Sequence, residues 1–287
     1  MKLFLSIALA LGWCAAAAQI PPAVTTDPPE NQANPATMTE LAIPSHGGTI
    51  IGVVYIGEGA GPHPTVVLLH GFPGYEQSLD LAESMRRAGW NVIFFHYRGA
   101  WGSPGAFSFS NSLEDTQTVI GWARDPQNAK KNRIDAERIV LIGHSMGGFM
   151  AAAAGRDPKV LGVAMIAAWN IGAQGKQAHD PAKAKAYLQS VLLPLSGCTA
   201  DGLYAEVEAH KEDWDFNSFV PQLKTRAVLV ISADDDVRAM SDAFVAVMKS
   251  AEAPRLTAVH MATDHNFNDH RIALQIAVLN WLNTLRP

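Results

Sequence analysis

The sequence predicts an α/β domain: a mostly parallel sheet with helices on both faces. Two observations carry this, and a third shapes it. Short apolar runs rich in β-branched residues recur along the chain, and segments with helical spacing separate them. Strands that alternate with helices imply right-handed crossovers and a parallel sheet. One crossover, after the middle of the chain, is much longer than the rest.

Met1 to Ala18 have the form of an export signal: a positive start at Lys2, an apolar run from Leu3 to Trp13, and small residues from Ala15 to Ala18. The run falls short of the ~20 apolar residues that span a bilayer as a helix. The expectation is therefore a signal peptide over 1–18 and a periplasmic or secreted protein, with no membrane association once the signal is removed. Residues 19–38 are rich in Pro, Asn and Thr and read as a flexible linker. The folded domain is expected over 39–287. Leu41 to Ile56 suit an antiparallel hairpin. Thr65–Leu69, Val92–Phe95, Ile139–Ile142, Val160–Ala167, Ala227–Ser232 and Leu256–His260 suit strands covered on both faces. Helical spacing marks Ser78–Ala88, Ser112–Arg124, Met146–Gly155, Ser241–Ser250 and His270–Leu285. The long crossover, about 169–221, holds two helix-like patches, Pro181–Leu193 and Gly202–Trp214. It would sit over the carboxyl ends of the strands, where ligands bind in such folds, and so is expected to form a lid.

Composition removes several function classes. Of 287 residues, 48% are hydrophobic and 17% charged, which excludes a disordered chain. Lys and Arg number 22 against 27 Asp and Glu, a net charge of −5, and nucleic acid is not an expected partner. There are two cysteines; with Cys14 in the signal, Cys198 is alone and reads as a small buried filler.

The sharpest motif is Gly143-His144-Ser145-Met146-Gly147, between a strand-like run and a helical segment. Glycines around a serine at a strand-to-helix turn expose its hydroxyl above the sheet. Serine needs a base to act as a nucleophile. Among the histidines, His265 fits: it follows the last strand in a short loop and precedes the final helix. His144 abuts the serine but is expected to point elsewhere; His260 reads as structural and His270 as surface. The base in turn needs a carboxylate, and Asp234-Asp235-Asp236 follow the strand Ala227–Ser232. For the developing oxyanion, His70-Gly71-Phe72-Pro73-Gly74 supplies the Phe72 N–H as first donor and the elbow supplies that of Met146. No HExxH pattern and no dinucleotide fingerprint is present, so neither a metal nor another cofactor is expected.

These motifs resemble those of the α/β-hydrolase superfamily: HGFPG at His70, GHSMGG at Gly143, ISADDD at Ile231 and TDHNF at Thr263. They stand in that family's order of serine, acid and histidine. Tyr97-Arg98-Gly99 and Gly102-Ser103-Pro104-Gly105 are similar to the dienelactone-hydrolase-like and prolyl-oligopeptidase-like branches. The resemblance implies an eight-stranded sheet with a helical lid. It implies Ser145, Asp236 and His265 as catalytic residues, with Phe72 and Met146 as the oxyanion hole. Asp236 is preferred because many members carry the acid three residues after a glycine whose place Ala233 takes; Asp235 is the alternative. The expected activity is ester hydrolysis through an acyl-enzyme on a small-molecule ester. A peptidase acting on short peptides is the alternative, and a non-catalytic binding protein a third reading. Trp169, Leu192, Leu193, Leu203, Tyr204 and Trp214 are candidates to line the acyl pocket.

Overall fold

The computed structural model describes residues 19–177 and 180–286. The expected signal peptide, 1–18, lies outside the described residues.

An eight-stranded sheet forms the centre, in the order β1-β2-β4-β3-β5-β6-β7-β8. The strands are β1 (Thr37–Ser45), β2 (Gly48–Ile56), β3 (His63–Leu69), β4 (Asn91–His96), β5 (Ile134–His144), β6 (Val160–Ile166), β7 (Ala227–Ser232) and β8 (Leu256–His260). β1 and β2 form the expected antiparallel hairpin, and β2 joins β4 antiparallel. Every other pairing is parallel.

Alternate residues of the inner strands feed two separate cores, as a period of two requires. Val67, Leu69, Leu141, Val163 and Val230 face one layer. That layer holds α3 (Phe109–Arg124), α5 (Met146–Ala154) and α10 (Arg238–Ser250). Val66, Leu68, Ile142, Ala164 and Ile231 face the other. There α2 (Leu79–Arg87) and α11 (Arg271–Asn283) pack. Coverage on both faces explains why β3 to β7 read as unbroken apolar runs. β8 departs from that expectation. It is the last strand of the sheet, and much of it is exposed.

Helix starts follow local chemistry. α3 begins at Phe109, earlier than its periodicity suggests, because the Ser108 hydroxyl accepts from Asn111 N–H at 2.9 Å. Asp125 caps α4 (Pro126–Lys131), with proline at the first helical position. A buried ion pair then fixes the loop after β4: Arg98 Nε lies 2.6 Å from Asp115 on α3, and the Ser45 hydroxyl donates to the same carboxylate at 2.7 Å.

The stretch 19–38, expected as a flexible linker, is attached at several points. Its short helix α1 (Pro22–Thr25) receives Arg87 Nε at the Ala23 carbonyl, 2.8 Å away. Glu58 accepts from the backbone N–H groups of Asn31 and Ala36. The Pro35 carbonyl accepts from Arg133 at 2.8 Å. These partners bond to backbone, which sequence composition does not reveal.

The long crossover lies between β6 and β7. It holds α6 (Ile171–Lys176), α7 (Pro181–Ser190), α8 (Ala200–His210), a 3-10 turn (Phe216–Phe219) and α9 (Val220–Leu223). No helix among the described residues is long and apolar enough to cross a membrane.

Candidate active site

Ser145 stands between β5 and α5 with φ +55° and ψ −119°, a conformation an L residue rarely adopts. Three hydrogen bonds hold it there. Its N–H donates to Ile166 O at 2.9 Å, and its carbonyl accepts from Gly148 and Trp169, each at 3.0 Å. The turn works only with glycine beside it: a Cβ on Gly143 would lie 1.9 Å from Gly147 O, and one on Gly147 would lie 2.0 Å from Leu69 O. Strain of this kind persists where surrounding structure enforces it.

His265 lies in the loop after β8. Its Nδ1 is 2.7 Å from Asp235 Oδ2. The Asp235 side chain is 6% exposed and that of His265 37%. The other Asp235 oxygen accepts from Val237 N–H at 3.1 Å, starting the turn into α10. His265 lines a cavity that Ser145 also lines. Among the described residues no hydrogen bond yet joins the Ser145 hydroxyl to the imidazole. Such bonds commonly close only around substrate.

The carboxylate on the imidazole is therefore Asp235 and not Asp236, the residue expected from the sequence. Asp234 N–H is tied to Thr263 O at 3.0 Å, which fixes the aspartate loop against the histidine loop. Asp235 then meets His265, and Asp236 turns outward, exposed at the cavity wall. Asp234 faces away, bonded to Arg238 and 3.3 Å from His260 Nε2. The Nδ1 of His260 also meets the Ser232 hydroxyl at 3.0 Å, bridging β7 and β8.

The loop His70–Gly74 passes directly beside the serine; a Cβ on Gly71 would lie 3.0 Å from Ser145 Cβ. Among the described residues the N–H groups of Phe72 and Met146 have no backbone acceptor. Met146 is the first residue of α5, where helix N–H groups are free. His70 Nδ1 donates to the Gly71 carbonyl at 2.8 Å. That carbonyl and the Phe72 N–H belong to one peptide unit, so the bond orients the N–H. Burial, with His96 nearby, lowers the His70 pKa to about 3 and keeps the ring neutral.

A cavity of about 770 Å³ opens above these groups. Phe72, Trp169, Tyr187, Leu188, Tyr204 and Val207 supply its apolar wall. Gln174, Asp180, Lys183 and Asp236 supply polar edges. Of the six pocket candidates, Trp169 and Tyr204 line it. Leu203 and Trp214 are buried in packing, and Leu193 is 91% exposed. Sequence reasoning missed Tyr187, Lys183 and Val207, because which face of α7 or α8 looks inward depends on how each helix is docked. Cys198 is half-buried, and burial pushes its thiol pKa up. Among the described residues no cluster of three or more His, Cys, Asp or Glu could hold a metal ion.

The fold and this elbow define a class that comparison with known proteins supports. A family model described as the alpha/beta hydrolase fold matches residues 64–210. The chain belongs to that family. Solved structures with the same fold include Est1E from Butyrivibrio proteoclasticus (TM-score 0.66, 15% identity, covering 86% of this chain and 98% of that one). EstE1, a thermostable carboxylesterase cloned from a metagenomic library, is another (TM-score 0.63, 21% identity, 88% and 91%). In sequence, the chain is 37% identical over 109 residues to an uncharacterized 31.7 kDa protein of Escherichia coli encoded in the traX-finO intergenic region. The match covers 36% of each chain, so it spans about a third of that relative's length.

Proposed function

We propose that this chain is a serine hydrolase that cleaves carboxylic esters of small molecules through an acyl-enzyme. The observation that carries the reading is the 2.7 Å bond from His265 Nδ1 to Asp235, at the cavity that Ser145 lines. The carboxylate sets the tautomer, so Nε2 is the basic nitrogen. Ser145 Oγ attacks the acyl carbon and its proton passes to His265 Nε2. The oxyanion is held by the N–H groups of Phe72 and Met146. The C–O bond to the alcohol breaks as His265 returns the proton to the leaving oxygen. Water then attacks the acyl-enzyme by the same route and frees Ser145. Solved esterases of the same fold support the ester as substrate, and the residue pattern of 1–18 supports export to the periplasm or beyond.

One observation favours a peptidase as the second reading. Asp180 and Asp236 both line the cavity and could receive the ammonium of a short peptide. A series of p-nitrophenyl acyl esters run against aminoacyl p-nitroanilides separates the two. Ester turnover is expected to dominate, and Ser145→Ala is expected to lower it by about 10⁴-fold or more. Near-wild-type turnover in Ser145→Ala would remove the nucleophile and the reading with it.

A further inference from the structure

We propose that His144 is a positioning residue for the base. It fixes the His265 loop to the elbow that carries the nucleophile. The inference rests on the serine-hydrolase reading of the site.

His144 is joined to Ser145 by a peptide bond. Its Nε2 lies 2.8 Å from the backbone carbonyl oxygen of His265. A carbonyl only accepts, so His144 carries its proton on Nε2. The two imidazole rings are 4.7 Å apart and inclined at 52°, so His144 also packs against the ring of the base. Nucleophile and base are therefore linked by one peptide bond and one partly buried hydrogen bond. Along the fold, the route from Ser145 to His265 runs through β6, β7, β8 and their loops, and displacements along it accumulate. The short link sets the spacing directly.

The rest of the ring's surroundings fit this role. His144 is buried, and its Nδ1 has no partner among the described residues. That nitrogen lies toward the oxyanion loop: a Cβ on Gly71 would stand 3.5 Å from it. His144 is thus enclosed by the nucleophile, the oxyanion loop and the base. A second clamp acts on the next carbonyl, where Arg271 Nη1 donates to Asn266 O at 2.9 Å. Arg271 is itself held by Asp80 and Glu76. That clamp comes from α11 and keeps the loop attached without His144, but it does not reach the serine.

The test compares His144→Gln, His144→Leu and His144→Asn with wild type on p-nitrophenyl butyrate, with Ser145→Ala alongside. Gln carries an N–H near the position of Nε2, Leu fills the volume without a donor, and the Asn amide falls short. The expected kcat is within about fivefold of wild type for Gln and about 10²-fold lower for Leu and Asn, with KM within about twofold throughout. The low-field proton resonance of the His265–Asp235 bond should stay sharp in Gln and broaden in Leu and Asn. A purely structural role would lower the melting temperature while leaving kcat and that resonance unchanged. Wild-type kcat in folded Leu overturns the inference. If Leu does not fold, equal kcat in Gln and Asn overturns it. Retained turnover in Ser145→Ala would sink the reading of the site itself, a different result from either.

Discussion

All nine residues of α5, directly behind Ser145, are buried, whereas α7, the outer wall of the cavity, buries Leu188 alone. The floor of the site is held by backbone bonds between strands and by glycines that admit no side chain. The roof is held by fewer and more exposed contacts. Lys185 pairs with Asp201 at 2.7 Å and lies 5.2 Å over the Tyr204 ring. α8 is better fastened than α7, because Glu206 accepts from Phe109 and Ser110 N–H at 2.9 and 2.8 Å and so caps α3 of the main body. Regions with few buried contacts open at low free energy. The comparison teaches a division of labour: groups that must keep ångström geometry sit in the dense floor, and groups that only need to fit a substrate sit in the roof.

The largest effect that would break this division lies in the floor, at the aspartates. Asp235→Asn keeps the shape but loses the charge that fixes the His265 tautomer, and is expected to lower kcat by about 10³–10⁴-fold. Asp236→Asn, one residue on but exposed, is expected to change kcat by less than about threefold. Steady-state kinetics on one ester decide it. The reverse order of the two variants would move the acid back to Asp236 and discard the geometry described above.

That one-residue choice also marks how far the sequence could be read. The strands were legible because both faces of β3 to β7 are covered, so their apolar character survives without context. The elbow at Ser145 was legible because it forbids a Cβ at Gly143 and Gly147, a demand that leaves a local trace. The loop that carries His265 was legible from its place between the last strand and the last helix. The choice between Asp235 and Asp236 as the partner of His265 was not, since three adjacent aspartates differ only in where the backbone turns. His144 was expected to point away from the serine; its partner, a backbone carbonyl 121 residues later, has no side-chain signature at all. The attachment of 19–38 was hidden for the same reason.

His144 and His70 are both buried in the floor. Burial, with repulsion from His265, lowers the His144 pKa to about 4, and burial with repulsion from His96 lowers that of His70 to about 3, against 6.5 for the free side chain. Native protein refuses protons that the unfolded chain accepts, so stability falls as pH drops below 6.5. Each ring should cost about 3 kcal/mol between pH 7 and pH 4. The carboxylates act lower. Asp80, where bonds to Arg271 outweigh burial, sits below its ordinary 3.8, so its share is lost only under about pH 4. Denaturant unfolding across pH 7 to 4 is expected to show this loss, with His144→Gln flatter by about 3 kcal/mol. An unchanged slope in that variant would mean that His144 is not buried neutral.

The smallest effect belongs to the roof and tests whether it selects. Tyr187 lines the cavity from α7, yet is 61% exposed. Removing its ring takes away one wall of the cavity but little packing. Tyr187→Ala is therefore expected to shift relative kcat/KM between short and long p-nitrophenyl esters by up to about tenfold, the scale of a few apolar contacts in a pocket. Its unfolding free energy should move by less than about 0.5 kcal/mol, as for other exposed substitutions. The two readouts together carry the point, because a core residue would give the opposite pair. If the variant lost stability while the preference for chain length stayed fixed, α7 would be part of the scaffold, and the boundary between floor and roof would have to be drawn outside it.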